Sequence, residues 1–546
     1  MLKLPDNLEM KSQKLILSFL ILILFGLFLY LPFLGEKEFQ GEEGRRVLIA
    51  LQMLEKGEFL IPTLFDEPYF NKPPLFNWSL AGFFALTGDF SEFTARALSS
   101  LVLILTSLFL TYIWVRTLEK ERSDRENLMT SLLTGLIFLT IPEVIDKALR
   151  AEIDALYASL LTIALFGWFY LAEVKALRIR AYILSGLFLG LAILTKTFQA
   201  LLFFYIALIP YLIWQRRIKE LFSLPALVGL CTTIGVFLLW AIPVSFKVGL
   251  MPFIKAWIME YFSAAKAQEM TFWQHLEAYT LSAVISFSPW IFFLFTLRYK
   301  AFKEFLKAHP LLLKLFYFSL FLFVFSYLLH FLFPGARLRY MLPSIGGLVY
   351  LIAIVFFFYL VNSKTLSKTF TYLLKIFCLL NILFVFVIFF YLQYINIIIH
   401  YSFYFLSIVF IALNIFFFLQ KNYYYENLFI LLIVFIFFAK HFFVISYYPY
   451  HQKNMNYFRK ATFEIAGLIG KDKPFYLCKT IPHHLVYYLK YKYKFVQDVR
   501  YLRVCDKLPE SAYILIQDKD VTEELLKRYQ NTPIFVRNKK YYLIRM

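Results

Sequence analysis

Long runs of apolar residues recur along the chain, and they restrict it to a membrane fold. Leu15–Leu34 and Phe370–Leu392 are examples, and each has the roughly 20 apolar residues that a helix needs to cross a bilayer. Of the 546 residues, 60% are hydrophobic and 21% are aromatic, and the mean hydropathy is +0.65. No soluble domain has that balance, so the sequence predicts a multi-pass α-helical membrane protein.

The length criterion predicts about thirteen transmembrane helices. They lie near residues 15–34, 94–115, 128–142, 155–172, 181–195, 198–214, 223–245, 278–297, 311–333, 341–361, 369–393, 400–419 and 427–447. Lysine and arginine are concentrated in every second connection, a bias that is typical of cytoplasmic loops. The N-terminus is therefore predicted to be cytoplasmic, and an odd number of spans places the C-terminus outside.

The formal charge of +20 raises the question of nucleic-acid binding. The basic residues lie between the apolar runs rather than in one soluble patch, and membrane topology accounts for that pattern. We therefore predict no nucleic-acid partner. The sequence also has no glycine-rich phosphate loop, no G-x-S-x-G and no H-E-x-x-H motif, which argues against the enzyme classes that these motifs mark.

The first outer connection, residues 35–93, contains the largest group of candidate site residues. It carries Glu42, Glu43, Arg45, Arg46 and Lys72. Charged groups at a membrane boundary are costly unless they have partners or a function. A carboxylate there is able to take a proton from an acceptor, and the cations are able to bind phosphate. The alternatives are a helix-capping acid and attraction of the cations to anionic headgroups.

The same connection has a predicted local structure. Residues 45–56 have apolar side chains at helical spacing and end before Gly57, which predicts an amphipathic helix in the membrane interface. Residues 59–74 contain four prolines and are predicted to form an irregular loop. The outer connection 246–277 is a candidate for another interfacial helix.

Further charged residues fall in the other outer connections. Asp154 follows Arg150 by four residues, a spacing that places both on one face of a helix. Either the two residues form an ion pair within that helix, or Asp154 is a second acid of the site. Lys196 is expected mainly to extend towards the membrane surface, with a role in the site as the lesser alternative. Arg337 and Arg339 are candidate phosphate ligands or headgroup contacts.

The composition changes after residue 447, where the apolar blocks become short. Residues 475–478, 512–516, 534–536 and 541–544 are predicted to be strands, and 456–468 and 521–528 helices. The sequence thus predicts two parts, a transmembrane domain of residues 1–447 and a small extracytoplasmic α/β domain of residues 448–546. Cys478 and Cys505 lie in the second part, and an extracytoplasmic location would permit a disulfide between them.

Several motifs resemble those of a known family. Residues 41–45 resemble its Asp-Glu-x-Arg motif, 67–74 its Glu-Pro-Tyr-Phe-Glu-Lys-Pro-Pro loop, and 339–343 its Arg-Tyr-x-Leu-Pro signature. Residues 91–96, the pair Arg150 and Asp154, and residues 191–196 continue the match. The family is that of the aminoarabinose transferases of lipid A, which are related to the protein O-mannosyltransferases. Both are membrane glycosyltransferases of the GT-C class, and the resemblance covers roughly residues 15–345.

The resemblance implies an active site on the extracytoplasmic side, a polyprenyl-phosphate sugar donor and inversion at the anomeric carbon. It places Glu42 at the family's essential aspartate and Asp154 at its second acid. Arg45, Lys72 and Tyr340 fall at positions that bind the donor phosphate. Glu43, Arg46, Arg150, Lys196, Arg337 and Arg339 remain further candidates for the site.

Three departures from the family pattern bear on these expectations. Glu42 replaces an aspartate, which lengthens the base by one methylene, and Arg46 replaces a tyrosine and adds positive charge. Asn71 replaces a glutamate. A divalent metal is left open, but a metal site that uses that glutamate is in doubt, and no cofactor is otherwise predicted.

The expected function is therefore sugar transfer from a polyprenyl phosphate, of the undecaprenyl type, to lipid A or a related glycolipid in the periplasm. Transfer of 4-amino-4-deoxy-L-arabinose is one instance. The alternatives are transfer of such a sugar to a protein, and a polyprenyl-lipid binder or transporter without enzymatic activity. We expect a monomer in the cell inner membrane.

Overall fold

A computed structural model describes residues 6–65, 67–121, 128–255, 271–296, 299–362, 368–397, 399, 401–420, 422–469, 474–480, 482–505 and 511–546. Most of the chain up to residue 454 is a helical bundle with one short hairpin, β1 (Thr63–Leu64) and β2 (Glu67–Pro68), in the first outer connection. The helices are α1 (Asp6–Tyr30), α2 (Glu43–Lys56), α3 (Leu75–Thr87), α4 (Glu92–Lys120), α5 (Leu128–Thr140), α6 (Pro142–Ala148), α7 (Ile153–Phe169), α8 (Arg178–Thr195), α9 (Gln199–Trp214), α10 (Leu224–Val248), α11 (Phe272–Phe287), α12 (Tyr299–Ala308), α13 (Pro310–Phe331), α14 (Ile345–Asn362), α15 (Lys368–Tyr394), α16 (Tyr401–Leu419) and α17 (Tyr425–Asn454).

The predicted multi-pass helical architecture is confirmed, although the number of long helices is smaller than the predicted count. Within the described residues, ten helices are long and apolar enough to cross a membrane, or up to eleven if the bent pair α5 and α6 is one span. The ten correspond one by one to ten of the predicted spans. The other three, near 128–142, 198–214 and 278–297, differ for local reasons.

Prolines explain two of these differences. Helix α5 stops at Thr140, and α6 begins at Pro142 with a bend of 66°, because proline favours the first position of a new helix. Helix α11 ends at Phe287, and a 3-10 turn follows from Trp290 to Thr296. Pro289 separates them, and the residue before a proline disfavours helical geometry.

The third difference is one of length. Helix α9 has 16 residues, which at a rise of about 1.5 Å per residue gives about 24 Å, less than the hydrocarbon core of about 30 Å. Within 246–277, where another interfacial helix is predicted, residues 250–255 are helical. Residues 256–270 of that segment lie outside the described residues.

The C-terminal part contains the predicted small α/β fold. Its helices are α18 (Tyr457–Leu468), α19 (His483–Val486) and α20 (Glu523–Arg528), and its strands are β3 (Phe475–Cys478), β4 (Val499–Leu502), β5 (Tyr513–Gln517), β6 (Gln530–Val536) and β7 (Lys539–Arg545). The sheet has the order β4-β3-β5-β7-β6. Strand β3 is parallel to β4 and β5, whereas β7 is antiparallel to β5 and β6. Cys478 and Cys505 form a disulfide, so the suggested pair is present.

Strand β4 is the element of this sheet that the sequence did not predict. It consists of Val499, Arg500, Tyr501 and Leu502 at one edge of the sheet, and only Val499 is buried. An edge strand has one neighbour and tolerates charged side chains, so its sequence lacks the apolar block that marks the central strands.

Helix α2 is largely buried within the protein, and its location in the membrane interface stays a prediction. Ten of its residues are buried, and it packs against α3 and against α19 of the C-terminal domain. Its apolar face therefore contributes to a core that includes Val47, Leu485 and Tyr488. The helical period and the stop at Gly57, which has a left-handed φ of 66°, are as predicted.

Candidate active site

Glu43 anchors the loop that precedes α2. Its side chain is buried, and the Arg96 guanidinium binds both carboxylate oxygens, at 2.7 Å and 3.0 Å. The backbone amides of Gln40 and Ala151 also donate to it, at 2.8 Å and 3.0 Å. Burial alone would raise the pKa of Glu43, but Arg96 and these hydrogen bonds hold the pKa below its ordinary value. Glu43 thus has a structural role, since it connects the loop before α2 to Arg96 and Ala151.

The Gly41 backbone brings this loop against the segment that leads into α7. Gly41 has φ 57°, and a Cβ atom built on it would lie 3.3 Å from Glu152 Oε1. With the bond from Ala151 to Glu43, this contact places residues 41–43 beside residues 151–152. Glu42 and Asp154, the two predicted catalytic acids, therefore lie in one region of the molecule.

Glu42 differs from Glu43 in both exposure and pairing. Its side chain is 42% exposed, and its Oε2 atom lies 3.0 Å from Arg45 Nη1 and 3.6 Å from Arg46 Nη2. Two guanidiniums therefore face one carboxylate. A partly exposed carboxylate beside two cations is accessible to an acceptor, whereas Glu43 is not.

Arg45 and Arg46 have different environments. Arg45 is 31% exposed, and its Nε donates to His483 Nε2 of the C-terminal domain at 3.2 Å. The Arg46 side chain is 4% exposed and lies over the Tyr69 ring, 5.7 Å from its centroid. Among the described residues, no hydrogen-bond partner is found for Arg46 Nε, Arg46 Nη1 or the Tyr69 hydroxyl. The positive charge that Arg46 is predicted to add is therefore a buried guanidinium.

A second charged cluster surrounds Asp154 at the start of α7. The carboxylate is buried, with Lys196 Nζ 2.7 Å from Oδ1 and Arg339 Nη1 4.0 Å from Oδ2. Lys196 also lies 4.9 Å from the centroid of the Tyr340 ring and 5.2 Å from that of Tyr157. Four of the predicted site residues therefore meet here, and Lys196 is a member of the cluster rather than an isolated lysine that reaches the membrane surface.

Glu152 connects the two clusters, and the sequence analysis did not select it. Its Oε2 atom lies 3.9 Å from Lys147 Nζ and 3.8 Å from Arg339 Nη1. Burial raises the pKa of Glu152 against the attraction of Lys147, and the nearby Asp154 charge adds to the rise. The signal available in the sequence was a third acid within four residues of Arg150, but the contacts depend on residues that are distant along the chain.

Arg150 does not share a helix face with Asp154, as their spacing had predicted. Helix α6 ends at Ala148 and α7 begins at Ile153, so Arg150 lies in the break between the helices, whereas Asp154 lies in the first turn of α7. Arg150 instead pairs with Asp146 at 2.8 Å. The pattern of residues four apart predicts a pair only within one continuous helix.

Lys72 lies later in the first outer connection, and Arg337 lies in another outer connection. Lys72 is partly buried in the connection from β2 to α3, and Arg337 is exposed just before the 3-10 turn Leu338–Ser344. Asn71 is exposed, and no group of three or more metal-binding side chains occurs in the described part of the chain. The residues at position 71 and around it do not fit a dedicated metal site, and we derive no step through a metal.

Comparisons with known proteins agree with this architecture. A family model described as dolichyl-phosphate-mannose-protein mannosyltransferase matches residues 71–242. An undecaprenyl phosphate-alpha-4-amino-4-deoxy-L-arabinose arabinosyl transferase of Pseudomonas aeruginosa (strain UCBPP-PA14) is 30% identical over 227 residues, which are 41% of this chain and 40% of the relative. The enzyme of that name from Photorhabdus laumondii is 26% identical over 341 residues, 62% of this chain and 58% of the relative. These alignments span less than two thirds of either relative.

The likeness in fold extends further than the likeness in sequence. The crystal structure of ArnT from Cupriavidus metallidurans in the apo state has a TM-score of 0.66 at 16% identity and covers 98% of both chains. The structure of that protein bound to undecaprenyl phosphate has a TM-score of 0.67 at 15% identity and covers 96% of this chain and 98% of the other. With the ten long apolar helices, these matches identify an integral membrane protein.

The predicted resemblance is confirmed, and the proteins that carry it are named as sugar transferases. Over part of its length the chain is thus similar in sequence to arabinosyl transferases and to the protein mannosyltransferase family model, and over nearly all of its length it has the fold of ArnT.

Proposed function

We propose that the chain is an inverting glycosyltransferase that moves one sugar from a polyprenyl phosphate to an acceptor on the extracytoplasmic side. The observation that carries the proposal is the position of Glu42, partly exposed between Arg45 and Arg46 and beside the segment of Glu152 and Asp154. A base and a set of cations are thus brought together, as transfer from a lipid phosphate requires.

In this proposal the acceptor oxygen attacks the anomeric carbon, and the bond from that carbon to the phosphate oxygen breaks. Glu42 takes the proton of the acceptor hydroxyl or phosphate. Arg45 and Lys72 stabilise the negative charge on the departing polyprenyl phosphate, and Tyr340 donates a hydrogen bond to it. Asp154 supports the site by holding Lys196 and Arg339.

The names of the relatives guide the choice of substrates. They suggest 4-amino-4-deoxy-L-arabinose on undecaprenyl phosphate as the donor, and lipid A or a related glycolipid as the acceptor. A protein acceptor is the alternative, since the matching family model describes protein mannosyltransferases. Mass spectrometry of lipid A, total lipids and glycoproteins, from cells with and without the protein, separates these cases.

We further propose that the protein lies in the inner membrane, with the N-terminus in the cytoplasm and the C-terminal domain in the periplasm. The bias of lysine and arginine towards alternate connections supports this orientation. The disulfide between Cys478 and Cys505 also supports it, because disulfides persist in oxidising compartments such as the periplasm. Labelling of cysteines introduced at the termini tests both assignments.

The role of Glu42 is tested by Glu42→Gln, which keeps the size of the side chain and removes the base. We expect sugar transfer to fall by about 10²- to 10⁴-fold, the usual contribution of a general base, while binding of undecaprenyl phosphate is retained. Transfer is measured with purified protein in detergent and a radiolabelled donor.

Glu58→Gln is the matched control. Glu58 is also in the first outer connection, is 35% exposed and forms one ion pair, with Lys247, but it belongs to neither cluster of the site. We expect normal transfer in this variant. Full activity in Glu42→Gln would show that Glu42 is not the general base. An equal loss of sugar transfer in Glu42→Gln and Glu58→Gln would indicate damage to the loop.

A further inference from the structure

Ion pairs hold the C-terminal domain against the first outer connection, and in each of them the acid comes from the connection and the base from the C-terminal part of the chain. Glu92 lies 2.6 Å from Arg459 Nη2 and 2.8 Å from Lys492 Nζ, and Glu55 lies 2.8 Å from Lys490 Nζ. The domain is therefore held in one orientation over the loop that carries Glu42.

Close backbone packing sets the position of α19 on α2. A Cβ atom at Gly44 would lie 2.8 Å from the His484 ring and 3.1 Å from its backbone nitrogen, so glycine permits the approach. His484 itself stacks on Phe458, with 4.5 Å between ring centroids. The neighbouring His483 is thereby brought to the exposed end of the Arg45 side chain.

His483 and Glu42 hold the Arg45 guanidinium from two sides. Arg45 Nε donates to His483 Nε2 at 3.2 Å, and Arg45 Nη1 lies 3.0 Å from Glu42 Oε2. Because Nε2 accepts a hydrogen bond, the neutral imidazole carries its proton on Nδ1. Burial, followed by the charge of Arg45, lowers the pKa of His483 to about 3, so the ring stays an acceptor at physiological pH.

Such a contact affects the affinity of the arginine for phosphate. A free arginine side chain has many rotamers, and part of this conformational entropy is lost when the side chain binds a ligand. A partner that fixes the guanidinium beforehand reduces this cost, which is the general effect of preorganisation. A simpler explanation for His483 is that it only fills space at the boundary between the two parts of the protein. Such packing, however, does not require that an acceptor nitrogen face Arg45.

We infer that His483 is a positioning residue of the donor site: the C-terminal domain supplies an uncharged acceptor that orients Arg45 towards the phosphate of the polyprenyl carrier. This inference rests on the proposed function and adds to it a residue far along the chain. The C-terminal domain is then a part of the donor site, and full affinity for the polyprenyl phosphate requires it.

The test uses three replacements of His483 in the full-length protein and measures the affinity for undecaprenyl phosphate. His483→Leu fills the space without an acceptor, and we expect its Kd to rise about tenfold, as for the loss of one hydrogen bond to a charged group. His483→Gln places an amide oxygen near the position of Nε2 and is expected to restore most of the affinity. His483→Asn is too short to reach Arg45 and is expected to behave like the leucine variant.

Lys490→Ala is the control for docking of the domain, because it removes a contact between the same two parts of the protein, Lys490 with Glu55, without touching Arg45. We expect its Kd to be unchanged. Addition of His483→Leu to Arg45→Met should have no further effect, since residues that act through each other are not additive.

The outcomes separate the inference from the proposed function. Unchanged affinity in Arg45→Met would remove Arg45 from the donor site, and with it the basis of the proposed donor binding. Reduced affinity in Arg45→Met with normal affinity in His483→Leu would overturn the positioning role alone. Equal loss in the leucine and glutamine variants, with lowered thermal stability in both, would show that His483 serves packing only.

Discussion

Two adjacent glutamates at the start of α2 have different roles because of one distant arginine. Arg96, 53 residues further along the chain, binds Glu43 and leaves Glu42 partly exposed. The sequence identified the acidic pair and its basic neighbours. It did not distinguish the two acids, because a propensity argument treats adjacent carboxylates at a helix start alike.

Glu43→Gln is expected to destabilise the protein by about 3–5 kcal/mol, because it leaves the buried Arg96 guanidinium without its counter-charge. Unfolding in detergent, followed by tryptophan fluorescence, measures the loss. A stability within about 0.5 kcal/mol of the wild type, the usual range for surface changes, would contradict this role.

Glu43 is also expected to make the stability of the folded protein depend on pH. Since the pKa of Glu43 is lowered in the folded state, its contribution is fully present above the ordinary carboxyl pKa of about 4.3 and is lost as the pH falls through the lower folded-state value. The stability of the wild type is therefore expected to fall in this acidic range more steeply than that of Glu43→Gln. Parallel curves for the two proteins would argue against the assignment.

Gly41 offers a test of the loop geometry at a single residue. Gly41→Ala is expected to cost about 1 kcal/mol through its positive φ, and to lower sugar transfer because the new methyl group meets Glu152 and displaces Glu42. Gly57→Ala is the control, as Gly57 also has a positive φ but no atom within 4 Å of the added Cβ. Loss of stability in both variants with loss of activity only in the first is the expected result.

At the scale of elements, breaks in helices decide where the site residues point. Helix positions were predicted correctly from the sequence where the apolar run was continuous, as in α7 and α14. It predicted Arg150 and Asp154 on one helix because their spacing fits a helical turn. The change of direction at Pro142, followed by the end of α6 at Ala148, instead places Arg150 in a connection and Asp154 in the first turn of α7, and their partners differ accordingly.

The packing of α8 against α10 depends on glycines in both helices. A Cβ at Gly186 would lie 2.3 Å from the Gly229 carbonyl oxygen, and Gly190 lies one turn further, in the spacing that is typical of closely packed membrane helices. Gly186→Ala is expected to lower the thermal unfolding midpoint in detergent. Gly235→Ala in α10, which has no atom within 4 Å, should leave it unchanged; equal midpoints in both variants would show that the helices readily move apart.

At the scale of the whole molecule, the proposed active site draws on three parts of the chain. The first outer connection, the outer ends of the bundle and the C-terminal domain each contribute a residue, for example Arg45, Arg339 and His483. The sequence predicted the composition of the first two parts through motifs. It did not predict the third, because a hydrogen bond between Arg45 and His483 has no local pattern.

Docking of the C-terminal domain is expected to depend mainly on its buried ion pair. Arg459→Met leaves the buried Glu92 carboxylate with a weaker set of partners, and we expect faster proteolytic cleavage between α17 and β3. Arg503→Met removes an exposed pair with Glu67, which usually contributes about 0–1 kcal/mol, and should cleave at the wild-type rate. Equal rates for the two variants would argue that apolar packing alone holds the domain.

The distance along the chain between Arg45 and His483, 438 residues, has a consequence for the order of biosynthesis. The arginine leaves the ribosome with the second helix, and its partner follows only after the last long apolar helix has been translated. Under the proposed function, the nascent protein spends that interval in the bilayer with its phosphate-binding arginine unsupported. Competence to hold a carrier lipid would then arise as one of the final events of maturation, after the C-terminal domain has folded against the first outer connection.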